Sequence, residues 1–150
     1  LVILADELEL CRQYLAIEKI RIGERLQTKW LLSAELLEQQ YRCKIPSLML
    51  QPLLENAIVH GVQPLPEGGL IVIKLDIENS RLCVQIDNPR PAVAALDGTR
   101  GNRIALDNVR HRLQAYFGVE ARFEAQSQPQ GFVVKLSYPI DSKLSGDAER

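Results

Sequence analysis

The sequence predicts an α+β fold in which helices cover one face of a sheet, giving a two-layer sandwich. Most segments that alternate apolar and polar residues occur as neighbouring pairs joined by short turns, which favours hairpins. Three other segments repeat apolar residues with the period of a helix. Apolar residues make up 46% of the 150-residue chain, which is sufficient for one hydrophobic core.

Each element is predicted from its own local pattern. The last helix is expected to end at Gly118, since glycine commonly ends helices. The two hairpins turn at Glu78-Asn79-Ser80 and at Gln128-Pro129-Gln130. The predicted helices cover residues 2–22, 47–61 and 103–117, and the predicted strands cover residues 26–33, 70–77, 81–87, 121–126 and 131–138.

The first predicted helix carries two apolar sets, which are Leu4, Leu8, Cys11 and Leu15, and Ile3, Leu10 and Ile17. Such a stripe either packs onto its own domain or forms a seam with another chain. Because the helical pattern is already present at the first residue, we expect the chain to be part of a longer protein. Residues 1–22 are then a linker helix from an upstream region, residues 23–140 the functional domain and residues 141–150 a disordered tail.

Charge and composition exclude several classes of function. The net charge of −1 predicts no whole-domain attraction to nucleic acid or to an anionic membrane. Three widely spaced cysteines without a Cys-x-x-Cys pair favour reduced thiols in the cytoplasm. The chain contains neither a membrane-spanning apolar run nor a signal peptide, so this piece is not expected to insert in a membrane. Neither a P-loop nor a His-Glu-x-x-His motif is present, and there are only two histidines.

The segment from Leu50 to Gly61 places polar side chains along one side of an apolar helix. Glu55, Asn56 and His60 share that side, where a carboxylate, a carboxamide and an imidazole could hold a metal, a water and a phosphate. The alternative is an ordinary amphipathic helix with its polar side in solvent.

Two later segments offer further candidates. The strand ending in Asp87-Asn88-Pro89 places a carboxylate where it could accept a hydrogen bond from the amino group of adenine, although Asp, Asn and Pro also form plain turns. A glycine-bearing loop around Gly101 then runs into a helix, so its backbone N–H groups, with Arg100 and Arg103 beside them, could bind phosphate. A flexible linker before a capped helix is the alternative.

Taken in order, these segments resemble the nucleotide-binding boxes of the histidine-kinase branch of the GHKL ATPases. Glu55, Asn56, His60 and Gly61 match the N box, Asp87 the first glycine box, and Gly101 to Leu106 the second. Residues 8–21 and 45–57 are similar to the preceding helix and the N-box lead-in of LytS-like sensor kinases.

The resemblance implies a Bergerat-type sandwich with a mixed sheet, binding ATP and Mg²⁺. Asn56 is then the magnesium ligand, Glu55 the catalytic residue that polarises the attacking group, and Asp87 the reader of adenine. The resemblance also implies that residues 90–102 form a lid over the phosphates. The other nucleotide-binding residues that it implies are His60, Gly61, Gly101, Asn102, Arg103, Ile104 and Leu106.

The implied activity is transfer of the ATP γ-phosphate to a histidine outside this chain and then to a response regulator. The implied parent protein is a homodimer through upstream helices, anchored in the bacterial inner membrane. Arg103 and Ala105 replace glycines of the second box, and Pro89 replaces one of the first. These departures favour the alternative of a degenerate pseudokinase module that serves for docking or dimerisation. A free-standing ATPase of the gyrase or Hsp90 type is a third reading.

Overall fold

The computed structural model describes residues 1–91, 96–129 and 131–140, with the backbone alone for residues 96–102. Within these residues the chain alternates helices and strands around one core. The helices are α1 (Leu4–Ile22), α2 (Ala34–Gln39), α3 (Gln51–Ala57) and α4 (Leu96–Phe117). The strands are β1 (Val2–Ile3), β2 (Leu26–Leu32), β3 (Lys44–Ile45), β4 (Gly69–Glu78), β5 (Arg81–Pro89), β6 (Arg122–Gln128) and β7 (Gly131–Pro139).

Five strands form a mixed sheet in the order β2-β4-β5-β7-β6. The β2 and β4 strands run parallel, whereas β4 with β5, β5 with β7 and β6 with β7 are antiparallel. The short strands β1 and β3 form a separate antiparallel ribbon. The predicted α+β sandwich with a mixed sheet is therefore confirmed.

The sheet buries one face and exposes polar residues on the other. In β5, the even-numbered residues Leu82, Val84 and Ile86 lie in the core, because successive side chains of a strand point to opposite faces. Lys74 and Lys135 lie on the outer face, at the register positions of Gln85. The helices cover the inner face, so only the even-numbered residues of β5 point toward them.

The first helix belongs to the core of the domain. Leu4, Leu8 and Cys11 are fully buried, and burial raises the pKa of the Cys11 thiol to about 12, with a further contribution from Glu7. The second apolar set of this helix remains at the surface, since Leu10 and Ile17 are 48% and 63% exposed. The two sets therefore have different roles, and the stripe of Leu4 and Leu8 packs onto its own domain.

The structure differs from the predicted elements at four places. The prediction missed α2, whose Ser33 cap accepts a hydrogen bond from the backbone N–H of Leu36, and the short ribbon of β1 and β3. The helix predicted over residues 47–61 begins only at Gln51, because Leu48 has a positive φ of 55°. The helix predicted from Arg103 begins instead at Leu96. None of the described helices is long and apolar enough to span a bilayer.

Candidate functional site

The predicted N box lies at the end of α3 and in a π-helical turn that follows it. Buried Leu53, Leu54 and Ala57 fix α3 against the core. The turn covers Ile58–Val62 and is closed by the bond from the Gln63 N–H to the Ile58 carbonyl, at 2.8 Å. Such wide turns are rare and occur frequently at functional sites.

Asn56 is a buried polar residue with an unsatisfied acceptor. Its side chain is 6% exposed, and no donor among the described residues reaches its Oδ1 atom. An unpaired buried carbonyl oxygen is costly and uncommon. A hard cation that takes oxygen ligands, such as Mg²⁺, would satisfy this atom.

Glu55 precedes Asn56 and is exposed. One of its carboxylate oxygens accepts a hydrogen bond from Gln51 Nε2 at 3.2 Å, one helical turn earlier. Its negative charge contributes, after burial and the charge of Glu18, to the raised pKa of Tyr14 on α1. The carboxylate is thus held by one surface contact and remains accessible to an attacking group.

Gly61 brings the N box against the end of β5. A Cβ atom on Gly61 would lie 2.3 Å from Asn88 Nδ2 and 2.7 Å from the Pro89 carbonyl oxygen, so no larger residue fits without movement. A Cβ on Gly69 would likewise lie 2.3 Å from Pro89 Cγ. Two of the predicted segments, the N box and the strand end at residues 87–89, therefore meet at this point.

The structure places Asp87 on the outer face of the sheet, away from the helices. Asp87 lies at the register positions of Val72 and Val133, and both of its oxygens accept from Gln85 Nε2 at 3.1 Å. The adenine-reading role predicted for Asp87 requires the opposite face, so this orientation does not favour it. The predicted strand ended at Asp87, whereas β5 continues to Pro89 and keeps its alternation.

Asn88, the next residue, lies on the inner face of the sheet, where the helices pack. It is 8% exposed, and its Nδ2 atom donates to the Pro89 carbonyl at 2.8 Å. The side-chain atoms of Asn88 nearest to the position of a Gly61 Cβ are Nδ2 and Cγ, at 2.3 and 3.1 Å. The signal that could have found it is parity, since Asn88 continues the buried series Leu82, Val84 and Ile86.

His60 lies near Arg90, which follows β5. Partial burial lowers the pKa of His60 below its usual value, and the positive charge of Arg90 lowers it further. Arg90 itself lies over the Phe132 ring at 4.6 Å and donates to the Ser127 hydroxyl at 3.2 Å. His60 is consequently favoured in its neutral form, with a fixed guanidinium nearby that can attract phosphate.

The second glycine box does not form the predicted junction between a loop and a helix. Residues 101–106 lie inside α4, so their backbone N–H groups are not at a helix N-terminus. Arginine and alanine are strong helix formers, and they replace two glycines of the box. Of the predicted residues, Leu106 is buried, Arg103 and Ile104 are exposed, and Gly101 and Asn102 are described by their backbone alone. Part of the predicted lid, residues 92–95, lies outside the described residues.

The residues present fit a magnesium nucleotide in part. The described residues contain no cluster of three or more His, Cys, Asp or Glu that could hold a metal by itself. A magnesium ion bound to nucleotide needs only one or two protein oxygens, because water and phosphate supply the rest, and Asn56 Oδ1 meets that need. Two depressions in the described surface, one on the outer face of the sheet and one beside α1, do not include these residues.

Comparison with known proteins gives named relatives, although no family model matches the chain. The sensor histidine kinase YpdA of Escherichia coli K12 is 33% identical over 119 residues, which are 75% of the chain and 20% of YpdA. BtsS of the same strain, also a sensor histidine kinase, is 32% identical over 131 residues, 87% of the chain and 22% of BtsS. The sensor protein LytS of Oceanobacillus iheyensis is 29% identical over 93% of the chain and 25% of LytS.

The chain is a homologue of the LytS-like sensor histidine kinases. It spans about a fifth to a quarter of the length of these relatives. A narrower likeness to the alginate-regulating sensor AlgZ, which the sequence also suggests, is not tested by the relatives named here and stays a prediction.

Solved structures agree on the fold of this histidine-kinase homologue. The catalytic domain of the histidine kinase ThkA superposes with a TM-score of 0.62 at 17% identity, over 87% of the chain and 92% of that domain. The Acinetobacter baumannii histidine kinase AdeS gives a TM-score of 0.57 at 12% identity, over 92% of the chain and 65% of AdeS. At these identities the likeness shows the fold alone.

Proposed function

We propose that the chain is the ATP-binding catalytic domain of a sensor histidine kinase, with Mg²⁺ as the companion of the nucleotide. The observation that carries the proposal is the Oδ1 atom of buried Asn56, to which none of the described residues donates, on a helix that also presents the Glu55 carboxylate. Sequence homology and fold support this interpretation of the atom, since both point to histidine-kinase catalytic domains.

Each end of the nucleotide is assigned to a different element. Asn56 on α3 would hold the metal, and Mg²⁺ when bound neutralises charge on the phosphates. Asn88 at the end of β5, rather than Asp87, would read the base, because a carboxamide can pair with the amino group and a ring nitrogen of adenine. Gly61 leaves the space in which these two elements meet.

The chemistry asked of the chain is mainly positioning. Glu55 would orient and polarise the attacking imidazole of a histidine on another segment, since phosphoryl transfer depends chiefly on alignment and charge neutralisation. His60, neutral and beside Arg90, would face the phosphates. The N-terminal part of α4 is also proposed to lie near the nucleotide. Its proposed nucleotide-binding residues are Gly101, Asn102, Arg103, Ile104 and Leu106.

The wider activity belongs to the same proposal. The relatives are named sensor histidine kinases. We therefore extend the proposal to an acceptor histidine, a response regulator, a homodimer and a membrane-anchored parent protein. The docking-module alternative rests on Arg103 and Ala105, and it is distinguished by whether the domain binds nucleotide at all.

Calorimetric titration of ATP, with and without Mg²⁺, tests the proposal. The wild-type domain is expected to bind Mg-ATP, and Asn56→Ala is expected to remove the magnesium-dependent part of the affinity. Asn88→Ala should weaken binding of adenine nucleotides with or without the metal, whereas Asp87→Ala should not. Asn108→Ala, which changes an exposed asparagine of α4, is the matched control.

Absence of binding by the wild-type domain at millimolar ATP would favour the docking module. Loss of binding in Asp87→Ala, with Asn88→Ala unaffected, would return the base-reading role to Asp87.

A further inference from the structure

The segment that enters α3 is held from two sides by charged side chains of other helices. Glu7 on α1 accepts hydrogen bonds from the backbone N–H groups of Leu48, Met49 and Leu50, at 3.1, 2.9 and 3.1 Å. On the other side, Arg112 of α4 donates to the Ser47 carbonyl at 2.5 Å and to the Leu48 carbonyl at 2.9 Å. Both backbone groups of Leu48, the N–H and the C=O, are therefore hydrogen-bonded to charged side chains.

Glu7 is an unusual residue for this position. Its side chain is 1% exposed, and among the described residues it has no cationic partner within salt-bridge distance. A buried carboxylate is costly unless its oxygens are hydrogen-bonded, and here backbone donors supply those bonds. The negative charge lies just before the first residue of α3, where the helix dipole also favours it.

The segment at residues 47–50 includes a backbone conformation that side-chain packing does not explain. Leu48 has a φ of 55°, in the left-handed region that leucine rarely adopts, yet its side chain is 51% exposed. Such a conformation persists only where its surroundings impose it. The bonds from Glu7 and Arg112 are the visible constraint.

We infer that Glu7 is a positioning residue for the metal end of the nucleotide site, acting through the start of α3. Asn56 follows Leu50 by less than two helical turns, so a shift of the Leu50 N–H is transmitted to Asn56 and Glu55 along a short rigid path. Arg112 acts on the same segment from α4. This inference rests on the proposed function, since it concerns the same site.

Glu7→Gln provides the test, because the amide keeps the size of the side chain but replaces one acceptor oxygen with a group that cannot accept. Mg-ATP should bind about tenfold more weakly, at the lower end of what is lost when the partner of a metal ligand is changed. The affinity for ATP without Mg²⁺ should stay near the wild-type value, because the base end lies on β5. Glu9→Gln, on the same helix but exposed, should leave both affinities unchanged.

Arg112→Gln gives a second route should Glu7→Gln fail to fold, since Arg112 contacts the segment from the surface. It should show the same split between the two titrations. Arg110→Gln is its control, because the Arg110 salt bridge is to Asp107 on its own helix.

Equal Mg-ATP affinity in the wild type and in both variants, with only a lower melting temperature, would overturn the inference and leave Glu7 a purely structural residue. A wild-type domain that binds no nucleotide would refute the proposed function instead. The inference would then be decided on the ligand-free protein, where Glu7→Gln should shift the NMR signals of the Asn56 side-chain amide and Glu9→Gln should not. Unshifted signals there would overturn it.

Discussion

At the scale of single residues, the contact between Gly61 and Asn88 is the tightest constraint on the candidate site. Gly61 has no left-handed φ to explain it, so its small size alone is what the position requires. The close approach explains why a glycine follows His60 and why the end of β5 lies beside the N box.

Gly61→Ala should destabilise the domain by about 1–3 kcal/mol, as overpacking does in other cores. The added methyl group would meet Asn88 Nδ2 and the Pro89 carbonyl oxygen. Urea unfolding followed by circular dichroism measures the change. In the double variant Gly61→Ala with Asn88→Ala, part of the loss should be recovered, since two residues in contact are not additive. Strict additivity would show that the two side chains do not compete for the same space.

His60 makes a pH-dependent contribution to stability. Its pKa is lower in the folded chain than the usual value of 6.5, through partial burial and then Arg90. The unfolded chain therefore binds more protons between the folded and unfolded pKa values, so that the free energy of unfolding falls as the pH drops below about 6.5.

Melting temperatures measured between pH 5 and pH 8 should show this effect. The wild-type domain should lose stability toward pH 5 more steeply than His60→Gln, which has no group to protonate at this position. His111→Gln, which changes an exposed histidine of α4, should follow the wild-type profile. Parallel profiles for the wild type and His60→Gln would contradict the assignment.

At the scale of elements, the sequence predicts the strands well and the start of α4 poorly. Alternation in residues 70–87 is set by burial of every second side chain, which the structure reproduces in β4 and β5. The start of α4 depends instead on whether Arg103 and Ala105 lie in a loop, as the glycines of the box would, or in a helix. Both residues have a high helix propensity, and both lie in α4. The short α2 helix was missed because only Leu36 within it is buried, which leaves no repeating pattern to detect.

Restoring glycines at residues 103 and 105 should reopen the second box. Each glycine costs about 1 kcal/mol in a helix relative to alanine, so Arg103→Gly with Ala105→Gly should shorten α4 from its N-terminal end. The freed N–H groups could then bind phosphate, and Mg-ATP affinity should rise. Circular dichroism reports the loss of helix and calorimetry the affinity. Loss of helix without a gain in affinity would show that these positions do not limit binding.

At the scale of the whole molecule, the candidate site depends on contacts between segments far apart in sequence. Motif spacing placed Glu55, Asn56 and His60 on one helix, and the structure keeps them on α3 and its π turn. The side of the sheet that Asp87 faces is set by the alternation along β5 and not by its motif, so only parity with Leu82, Val84 and Ile86 could have indicated it. The bonds from Glu7 span more than 40 residues, a separation at which local pattern gives no information.

The first helix is the remaining test of how the molecule is organised, since it was predicted as a linker yet buries Leu8 completely in the core. Leu8→Ala should lower the free energy of unfolding by about 2–5 kcal/mol, the usual range for a fully buried leucine. Leu10→Ala, two residues away and 48% exposed, should change it by no more than about 0.5 kcal/mol. Denaturant unfolding of both variants gives the comparison. Equal small changes would mean that α1 separates easily from the domain and acts as a linker. The expected difference would mean that α1 unfolds together with the sheet. A movement of α1 would then also move the start of α3.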